Sequence, residues 1–326
     1  MHSIISELGI KTLSSGLDCY DRMLCDGIPV GVISVDCGAT TCYKTLLNLQ
    51  KAFSFIKQTN SDVIYVDTEG GLLLILAGWK ERFEKRFKLN KVNVIEAVFN
   101  QKKTSWSLNK ELVDNGNLIV ITVRDIFKLF AIHGTPLGFK ISEKGKIDII
   151  RKPYSYQDGS NVKTTDEELP IEETPIGKLI NSIKCTGIIY DSLIELFKQR
   201  IPGTRENFGG RSFLLHSLLG SMQRIAETFK IPAIGIVHTS RDPTDRMKIR
   251  EIPNAVSTIS FNSKIMTLLQ NPFFKNPMNI QIFRKLNMRT LNIWRHPYKA
   301  PLSEKYIIEL TDLGLVEYKE NKEETE

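Results

Sequence analysis

The residues with the clearest chemistry lie between Val32 and Gln50 and stand at the spacing of a phosphate-binding loop. Gly38, Lys44 and Thr45 occupy the positions that a Gly-x-x-x-x-Gly-Lys-Ser/Thr pattern gives to its first glycine, its lysine and its hydroxyl. In such a loop backbone N–H groups surround the phosphates, the lysine reaches the β and γ oxygens, and the hydroxyl binds Mg²⁺. The second glycine is replaced by Tyr43, so the motif is degenerate.

The flanking residues predict the elements that would position this loop. A buried strand leads in, and apolar residues near helical spacing follow, so that one helix face would pack on a sheet: Val32, Ile33 and Val35, then Leu46, Leu49, Phe53 and Ile56. We include Thr41 and Cys42 in the candidate loop. A tyrosine at position 43 brings a Cβ and a ring to a place where glycine lets the backbone approach phosphate, which affects both affinity and geometry. By itself the stretch also fits an ordinary strand-turn-helix with a chance lysine.

Two further apolar strands end in carboxylates. Residues 62–70 end with Asp67, Thr68 and Glu69, and residues 187–193 carry Asp191. In an open α/β sheet the carboxyl ends of the strands are where ligands bind. A carboxylate such as Asp191 beside a phosphate loop reaches Mg²⁺ through water, so we predict that Asp191 and Thr45 form the metal site. For Glu69, a helix-capping acidic cluster is the alternative.

The composition of the chain limits the number of domains, the kind of partner and the use of its cysteines. The 326 residues, 41% of them hydrophobic, suffice for one elaborated domain or two small ones. The net charge of +7 fits an anionic partner such as nucleic acid, although a lysine-rich surface also keeps a protein soluble. The absence of a long apolar run or a signal-peptide pattern predicts a cytoplasmic protein with no membrane partner. Five cysteines without paired spacing indicate spectator thiols rather than disulfides or zinc ligands.

Several motifs in order resemble the RecA/RadA recombinase family and its KaiC-like relatives. Ser15 to Asp18, followed by Gly27-Ile-Pro-Val-Gly31, is similar to the segment that leads into the family's phosphate loop. Asp67 to Gly70 and Asp191 to Leu193 are similar to its Asp-Thr-Glu-Gly and Asp-Ser-Leu strand ends. The resemblance implies an α/β fold with a RecA-like P-loop NTPase core: a mostly parallel twisted sheet, flanked by helices, with antiparallel C-terminal strands. It also implies ATP and Mg²⁺ as cofactors.

The resemblance also assigns roles to single residues. It implies that Glu69 orients the attacking water, and that His238 stands where the family carries a glutamine sensing the γ-phosphate. A lone histidine at a strand end is more often a structural group with its hydrogen bonds satisfied, which is the alternative for His238. Pro297 lies in a turn similar to one that covers the ATP of a neighbouring subunit, which implies a homo-oligomer.

Two basic segments align with the family's DNA-facing loops. One runs from Arg200 to Gly210 and the helix after it, and the other follows His238. Their charges suit contacts to a phosphate backbone, with a solvated basic loop as the alternative. The predicted DNA-binding residues are Arg200, Arg205, Arg211, Arg241, Arg246, Lys248 and Arg250.

The expected organisation is a short N-terminal extension (1–12), a RecA-like core (13–318) and a charged tail (319–326). The family pattern is lost between residues 101 and 175, which we expect to form an insertion. Within it we predict an apolar run at 118–123, a short helix near 125–132, a hairpin pairing 139–142 with 146–151, and a polar mobile loop at 155–175. Strand-like runs then follow at 263–269, 280–284 and 290–294.

No helix-hairpin-helix domain or Phe-x-x-Ala tether is recognisable, so the chain resembles a RadA paralogue (RadB-like or KaiC-like) rather than the strand-exchange protein. We expect an accessory factor of homologous recombination and DNA repair that binds single-stranded DNA or a RadA-type recombinase. ATP binding would be weak or regulatory, and any ATPase activity weak. The alternatives are a KaiC-like ATPase that switches protein partners and a pseudo-ATPase that serves as a structural subunit.

Overall fold

A computed structural model of the chain describes residues 9–101, 104–114, 116–143, 145–151, 154–158, 161–165, 169–241, 251–253, 255–270, 287–297, 299 and 305–319. The helices are α1 Asp18–Met23, α2 Lys44–Thr59, α3 Leu72–Phe87, α4 Ile126–Ile132, α5 Pro175–Ser182, α6 Glu195–Arg200, α7 Phe208–Phe229 and α8 Val256–Asn262. Short 3₁₀ turns lie at Ile171–Glu173 and Arg205–Asn207.

The strands are β1 Thr12–Leu13, β2 Ile28–Pro29, β3 Ile33–Gly38, β4 Asp62–Asp67, β5 Asn93–Asn100, β6 Ser105–Leu108, β7 Asn117–Thr122, β8 Leu137–Ile141, β9 Ile147–Arg151, β10 Tyr154–Asp158, β11 Asn161–Thr165, β12 Cys185–Asp191, β13 Ala233–Arg241, β14 Glu251–Pro253, β15 Ile265–Gln270, β16 Met288–Arg295, β17 Lys305–Thr311 and β18 Gly314–Glu317.

One large sheet dominates the described part of the chain, in the order β18-β17-β16-β15-β3-β13-β12-β4-β7-β5-β6. The strands from β15 to β5 run parallel to one another. The strands β16, β17 and β18 continue the sheet in antiparallel pairing, and β6 pairs antiparallel with β5 at the other edge. Strands such as β3 and β4 are buried along their whole length, as expected when helices cover both faces of a parallel sheet.

Each face of the sheet has its own apolar layer. On one face Phe53 of α2 and Phe83 of α3 join a buried cluster with Val63 and Tyr65 of β4. The cluster on the other face includes Leu218 and neighbouring apolar residues of α7, together with apolar residues of α4 and α5. The two layers fix the sheet between helices, so the ends of its strands are held in a constant relation.

Most elements predicted from periodicity are present. The predicted strands at 118–123, 263–269 and 290–294 correspond to β7, β15 and β16, the short helix to α4, and the hairpin to β8 and β9. The run 280–284 lies outside the described residues.

Two segments differ from expectation. The polar tract at 155–175 was expected to be a loop, which is wrong, because β10 pairs antiparallel with β11 and a 3₁₀ turn and the start of α5 follow. Within the expected insertion, β7 lies in the large sheet between β4 and β5, whereas the two hairpins lie outside it.

Among the described residues, no helix combines the length and the apolar character that crossing a membrane requires.

Candidate functional site

The ends of four neighbouring strands meet at one edge of the large sheet. The register pairs Gly38 of β3 with His238 of β13, and Asp67 of β4 with Asp191 of β12. A cavity of about 500 Å³ opens at this edge. It is lined by Thr40, Thr41, Tyr43, Lys44, Thr45, Leu46, Glu69, Ile75, Trp79, Asp191, His238, Arg289 and Leu310. The structure thus brings together Lys44, Glu69, Asp191 and His238, while the roles assigned to them remain predictions.

The candidate phosphate loop joins β3 to α2. The Lys44 ammonium donates to the Ala39 carbonyl at 2.6 Å, and the Cys42 N–H donates to the same carbonyl at 3.1 Å. Lys44 is 4% exposed, and this burial lowers its pKa. No described side chain caps the N-terminus of α2. Its first N–H groups are therefore available to an anion, next to a desolvated lysine.

Gly38 and Cys42 lie beneath the loop rather than in the wall of the cavity. A Cβ at position 38 would come within 2.6 Å of the Leu269 carbonyl oxygen on the neighbouring strand β15. Glycine is therefore required here for the close approach of two backbones, which is a packing reason for the first glycine of the motif.

Tyr43 adopts the backbone conformation that a glycine would favour, with φ 58° and ψ 26°. The left-handed region costs a non-glycine residue about 1–2 kcal/mol. The loop therefore keeps the shape associated with glycine although the residue is a tyrosine. The Tyr43 side chain extends to the C-terminal strands, where its hydroxyl donates to Asn287 Oδ1 at 3.3 Å.

Asp191 and Thr45 form the predicted metal site. The Thr45 hydroxyl donates to Asp191 Oδ2 at 2.7 Å, and the Tyr65 hydroxyl donates to the same oxygen at 2.9 Å. Asp191 is 5% exposed, and burial raises its pKa to about 6. Hydroxyl and carboxylate oxygens are the ligands that Mg²⁺ prefers, and a cation would stabilise this buried carboxylate. The donor set therefore fits Mg²⁺ with a nucleotide. Tyr65 was missed because a tyrosine inside an apolar strand is typical of a core residue.

Thr68 ties the ends of β4 and β12 together. Its hydroxyl donates to the Ser192 carbonyl and accepts the Ser192 N–H, both at 2.8 Å, and its own N–H donates to the Asp191 carbonyl at 2.7 Å. Asp67 accepts the N–H of Glu69 at 3.0 Å and the N–H of Leu72, the first residue of α3, at 3.4 Å. The Glu69 carboxylate takes no part in these contacts and lies in the cavity wall.

Glu69 and His238, the two predicted catalytic residues, contact each other directly. His238 Nε2 lies 2.7 Å from Glu69 Oε1, with 16% of the histidine side chain and 36% of the glutamate side chain exposed. The hydrogen bond from His238 lowers the pKa of Glu69. His238 Nδ1 is buried and has no hydrogen-bond partner among the described residues. The histidine thus orients the carboxylate, a contact that the sequence did not suggest.

Three parts of the cavity wall were missed at the sequence level. Ile75 and Trp79 lie one turn apart on α3, and only their i, i+4 spacing after Glu69 could have indicated a shared face. Arg289 and Leu310 come from β16 and β17. Because β16 runs antiparallel to β15, its first residues lie at the edge where the parallel strands end. No local pattern indicates this.

Of the predicted DNA-binding residues, the three whose side chains are described do not line this cavity. Arg200 and Arg205 are exposed, while Arg211 lies in the first turn of α7, donates to the Ile201 carbonyl, and has its pKa lowered by burial. Arg241 ends β13, but its side chain is not described. The other three, Arg246, Lys248 and Arg250, lie outside the described residues. Pro297 is exposed beyond the end of β16 and does not line the cavity.

Comparison with known proteins gives one kind of match. No family model matches the chain, and no curated protein matches it. The chain is similar to the crystal structure of the RadB recombinase, with 18% sequence identity, 94% of this chain and 100% of that chain covered, and a TM-score of 0.56. At that identity the similarity establishes the fold alone. The chain has a RecA-like fold, which confirms the fold class expected from its motifs.

Proposed function

We propose that the protein binds Mg²⁺-ATP and acts as an accessory protein of homologous recombination and DNA repair, a RadA paralogue with a degenerate phosphate loop. The observation that carries the proposal is the meeting of Lys44, Thr45, Glu69 and Asp191 in one cavity of about 500 Å³. Ligand cavities typically measure about 300–1,000 Å³, so the space suits a nucleotide.

We propose a part for each residue. Lys44 and the N–H groups at the start of α2 would bind the phosphates. Thr45 and Asp191 would hold Mg²⁺, which when bound supplies positive charge to the phosphate oxygens. Glu69, oriented by His238, would accept a hydrogen bond from water near the phosphates. Because Tyr43 replaces the second glycine, we infer that ATP binding is weak or regulatory and that any hydrolysis is slow.

Ligand-induced stabilisation tests the nucleotide half of the proposal. A saturating ligand at 100 times its Kd adds about 2.7 kcal/mol to the free energy of unfolding. We expect Mg²⁺-ATP to stabilise the wild-type protein, and Lys44→Ala to abolish the effect. Lys57→Ala, which removes an exposed lysine from the last turn of the same helix, is the matched control and should retain it. A wild-type protein that Mg²⁺-ATP does not stabilise would reject nucleotide binding.

Single-stranded DNA is the proposed macromolecular ligand, with a RadA-type recombinase as a second partner. The support is a surface around the start of α7, where Phe208 and Phe213 are 56% and 49% exposed, and where the exposed Arg205 comes three residues before Phe208 in the chain. A cavity of about 380 Å³ is lined there by Phe208, Arg211, Phe197 and Lys198, among others. Aromatic rings among basic side chains suit base stacking and backbone contacts together. The recombinase partner is inferred only from the similarity to the RadB recombinase.

Fluorescence anisotropy with labelled oligo(dT) tests the DNA half. Affinity should fall as salt rises, and losing one phosphate contact in Arg205→Ala should reduce the slope of log K against log salt by about 0.7. Phe208→Ala should weaken binding by about 1–3 kcal/mol if a base stacks on the ring. Neutralising Arg246, Lys248 and Arg250 should also weaken it.

The control is Leu74→Ala, which removes an 83% exposed apolar side chain from α3. Absence of binding at low salt would reject the DNA half. ATP turnover that requires Lys44 and is indifferent to DNA would instead favour the KaiC-like alternative.

A further inference from the structure

Arg289, at the start of β16, is attached to the candidate phosphate loop from outside it. Its Nε and Nη2 groups donate to the Thr41 carbonyl at 3.2 and 3.0 Å, and Nη1 donates to the Met288 carbonyl at 2.6 Å. Its guanidinium lies over the Tyr43 ring, 4.4 Å from the centroid. It lines the same cavity as Lys44 and Asp191. A strand distant in sequence thus delivers a second cation to the loop.

The strand that carries Arg289 holds its guanidinium in place. Met288 is 1% exposed, and β16 is paired on both sides, with Arg289 opposite Ile308 of β17. Tyr43 is held by its αL backbone and by the hydrogen bond of its hydroxyl to Asn287. Ring and guanidinium therefore stack between two fixed backbones, in a contact that a glycine at position 43 could not make.

The guanidinium retains donors for a ligand. Of its five N–H groups, three make the hydrogen bonds given above, so that one N–H remains on each terminal nitrogen. The carboxylates in the cavity wall have other partners, since Glu69 pairs with His238, and Asp191 accepts from Thr45 and Tyr65. Arg289 makes no ion pair with any carboxylate of the described residues. The N–H groups that remain on the two terminal nitrogens can donate to the oxygens of a phosphate.

We propose that Arg289 is a phosphate-binding residue of the nucleotide cavity and that Tyr43 is the platform that holds it. This inference rests on the proposed nucleotide function. It assigns the weak binding inferred there to the loss of the glycine's close backbone approach, and not to the Tyr43 ring. The tyrosine supports binding, because the backbone approach that a glycine permits is replaced by a stacked guanidinium. Tyr43 and Arg289 consequently act as one unit, and removing either loses the contribution of both.

Calorimetric titration with Mg²⁺-ATP and with adenosine tests the pair. A hydrogen bond to a charged group is worth about 1.5–3 kcal/mol, so Arg289→Ala should weaken Mg²⁺-ATP binding about 10-fold or more. Adenosine affinity should not change, because adenosine has no phosphate. Tyr43→Gly should weaken Mg²⁺-ATP binding as much as Arg289→Ala, and the double variant should be no worse than either single variant.

Three further variants separate the contact from a folding effect. Tyr43→Phe retains the ring and should bind nearly as the wild type does. Arg289→Lys keeps the charge without the planar fork and should recover only part of the affinity. Arg295→Ala removes the exposed arginine at the opposite end of β16 and should leave binding unchanged.

The outcomes distinguish this inference from the proposed function. If Mg²⁺-ATP stabilises the wild type but Arg289→Ala binds it equally well, the inference is overturned and the nucleotide function stands. Equal or tighter binding by Tyr43→Gly would likewise overturn it, since the ring would then be an obstacle. If neither the wild type nor Tyr43→Gly binds Mg²⁺-ATP, the proposed function fails, and the phosphate contact falls with it.

Discussion

Asp191 shows at the scale of one residue how burial prepares the site. Its carboxylate is 5% exposed, and the hydroxyls of Thr45 and Tyr65 both donate to the same oxygen. Burial raises its pKa to about 6, because charge is costly in a poorly hydrated place. A bound cation would relieve that cost. The Thr45 hydroxyl, already within hydrogen-bond distance, would then be the second oxygen ligand.

Thr45→Ala should therefore weaken the binding of ATP in the presence of Mg²⁺. The loss is about 10-fold if one ligand contact is worth about 1.4 kcal/mol. Thr45→Ser keeps the hydroxyl and serves as the matched control. The measurement is the ratio of the ATP dissociation constants in Mg²⁺ and in EDTA. A ratio that stays the same in Thr45→Ala would show that the hydroxyl does not bind the metal.

At the scale of elements, the loop depends on how closely β3 and β15 approach each other. Gly38 ends β3 opposite Leu269 of β15, and a Cβ there would lie 2.6 Å from the Leu269 carbonyl oxygen. A side chain at position 38 would therefore collide with the neighbouring backbone, and the paired ends of β3 and β15 would have to separate. The glycine of the phosphate motif is thus also a structural requirement of the sheet.

Gly38→Ala should destabilise the protein by about 1–3 kcal/mol, the usual cost of overpacking. The control is Gly78→Ala in α3, where a Cβ would meet no atom within 4 Å. Because alanine is the better helix former by about 1 kcal/mol, that variant should be more stable than the wild type. Urea unfolding measures both. Equal stability of the two variants would contradict the packing argument.

A buried histidine between α7 and the sheet should make the free energy of unfolding depend on pH. His133 is fully buried, with Nδ1 at 2.9 Å from Ser221 Oγ of α7 and Nε2 at 3.2 Å from the Tyr190 hydroxyl of β12. Burial lowers its pKa from 6.5 to about 3. The folded protein therefore keeps the imidazole neutral at pH values where the unfolded chain has already bound a proton.

Between pH 6.5 and about 3 the unfolded state binds more protons at this site. The free energy of unfolding should therefore fall with falling pH, by up to about 1.4 kcal/mol per pH unit from this group. His133→Gln cannot titrate and should lack that component. The difference between the two unfolding profiles isolates it from other groups. Parallel profiles would show that His133 binds its proton equally in the folded and unfolded states, which contradicts the lowered pKa.

At the scale of the whole molecule, one buried polar network connects the N-terminal helix, the loop strand, the loop helix and a C-terminal strand. Asp36 of β3 accepts hydrogen bonds from the Tyr20 hydroxyl of α1 at 2.8 Å, from Asn48 of α2 at 2.7 Å, and from Thr267 of β15 at 2.6 Å. Lys51 of α2 forms an ion pair with Asp36 and lies 4.1 Å from the centroid of the Tyr20 ring.

Both charges are fully buried. Burial opposes ionisation of Asp36, but the charge of Lys51 and the hydrogen bonds of Lys51, Thr267 and Tyr20 outweigh it and lower its pKa. Burial likewise lowers the pKa of Lys51, and the negative charge of Asp36 opposes that effect. The pair holds four elements against one another directly beneath the phosphate loop. Its partners are far apart in the sequence, so the network forms only when the whole domain has folded.

Lys51→Met leaves the Asp36 charge buried without its partner and should cost about 3–5 kcal/mol of stability. Asp36→Asn leaves the charge of Lys51 buried without its partner and should destabilise the protein in the same way. The double variant carries neither charge and should lose clearly less than the sum of the single losses, as urea unfolding would show. Strict additivity would mean that the two charges are not coupled.

The sequence by itself determined the elements and part of the site, because strands and helices follow local periodicity, and the carboxyl ends of parallel strands share an edge. The strand ends carrying Glu69, Asp191 and His238 could thus be placed near Lys44, once the resemblance to the RecA/RadA family had supplied the order of the motifs. The hairpin of β10 and β11 was missed, because its residues are polar and its pairing satisfies backbone groups without an apolar pattern.

Only the tertiary structure decided what surrounds these residues. Arg289 hydrogen-bonds to Thr41 across 248 positions, and Tyr65 reaches Asp191 across 126. Such contacts depend on the order and direction of strands, above all on the antiparallel return of β16 beside β15. Periodicity carries no information on that order, since it reports which face of an element is buried and not which element lies next to it. Whether Tyr43 hinders or supports phosphate binding therefore depends on Arg289, its neighbour in space.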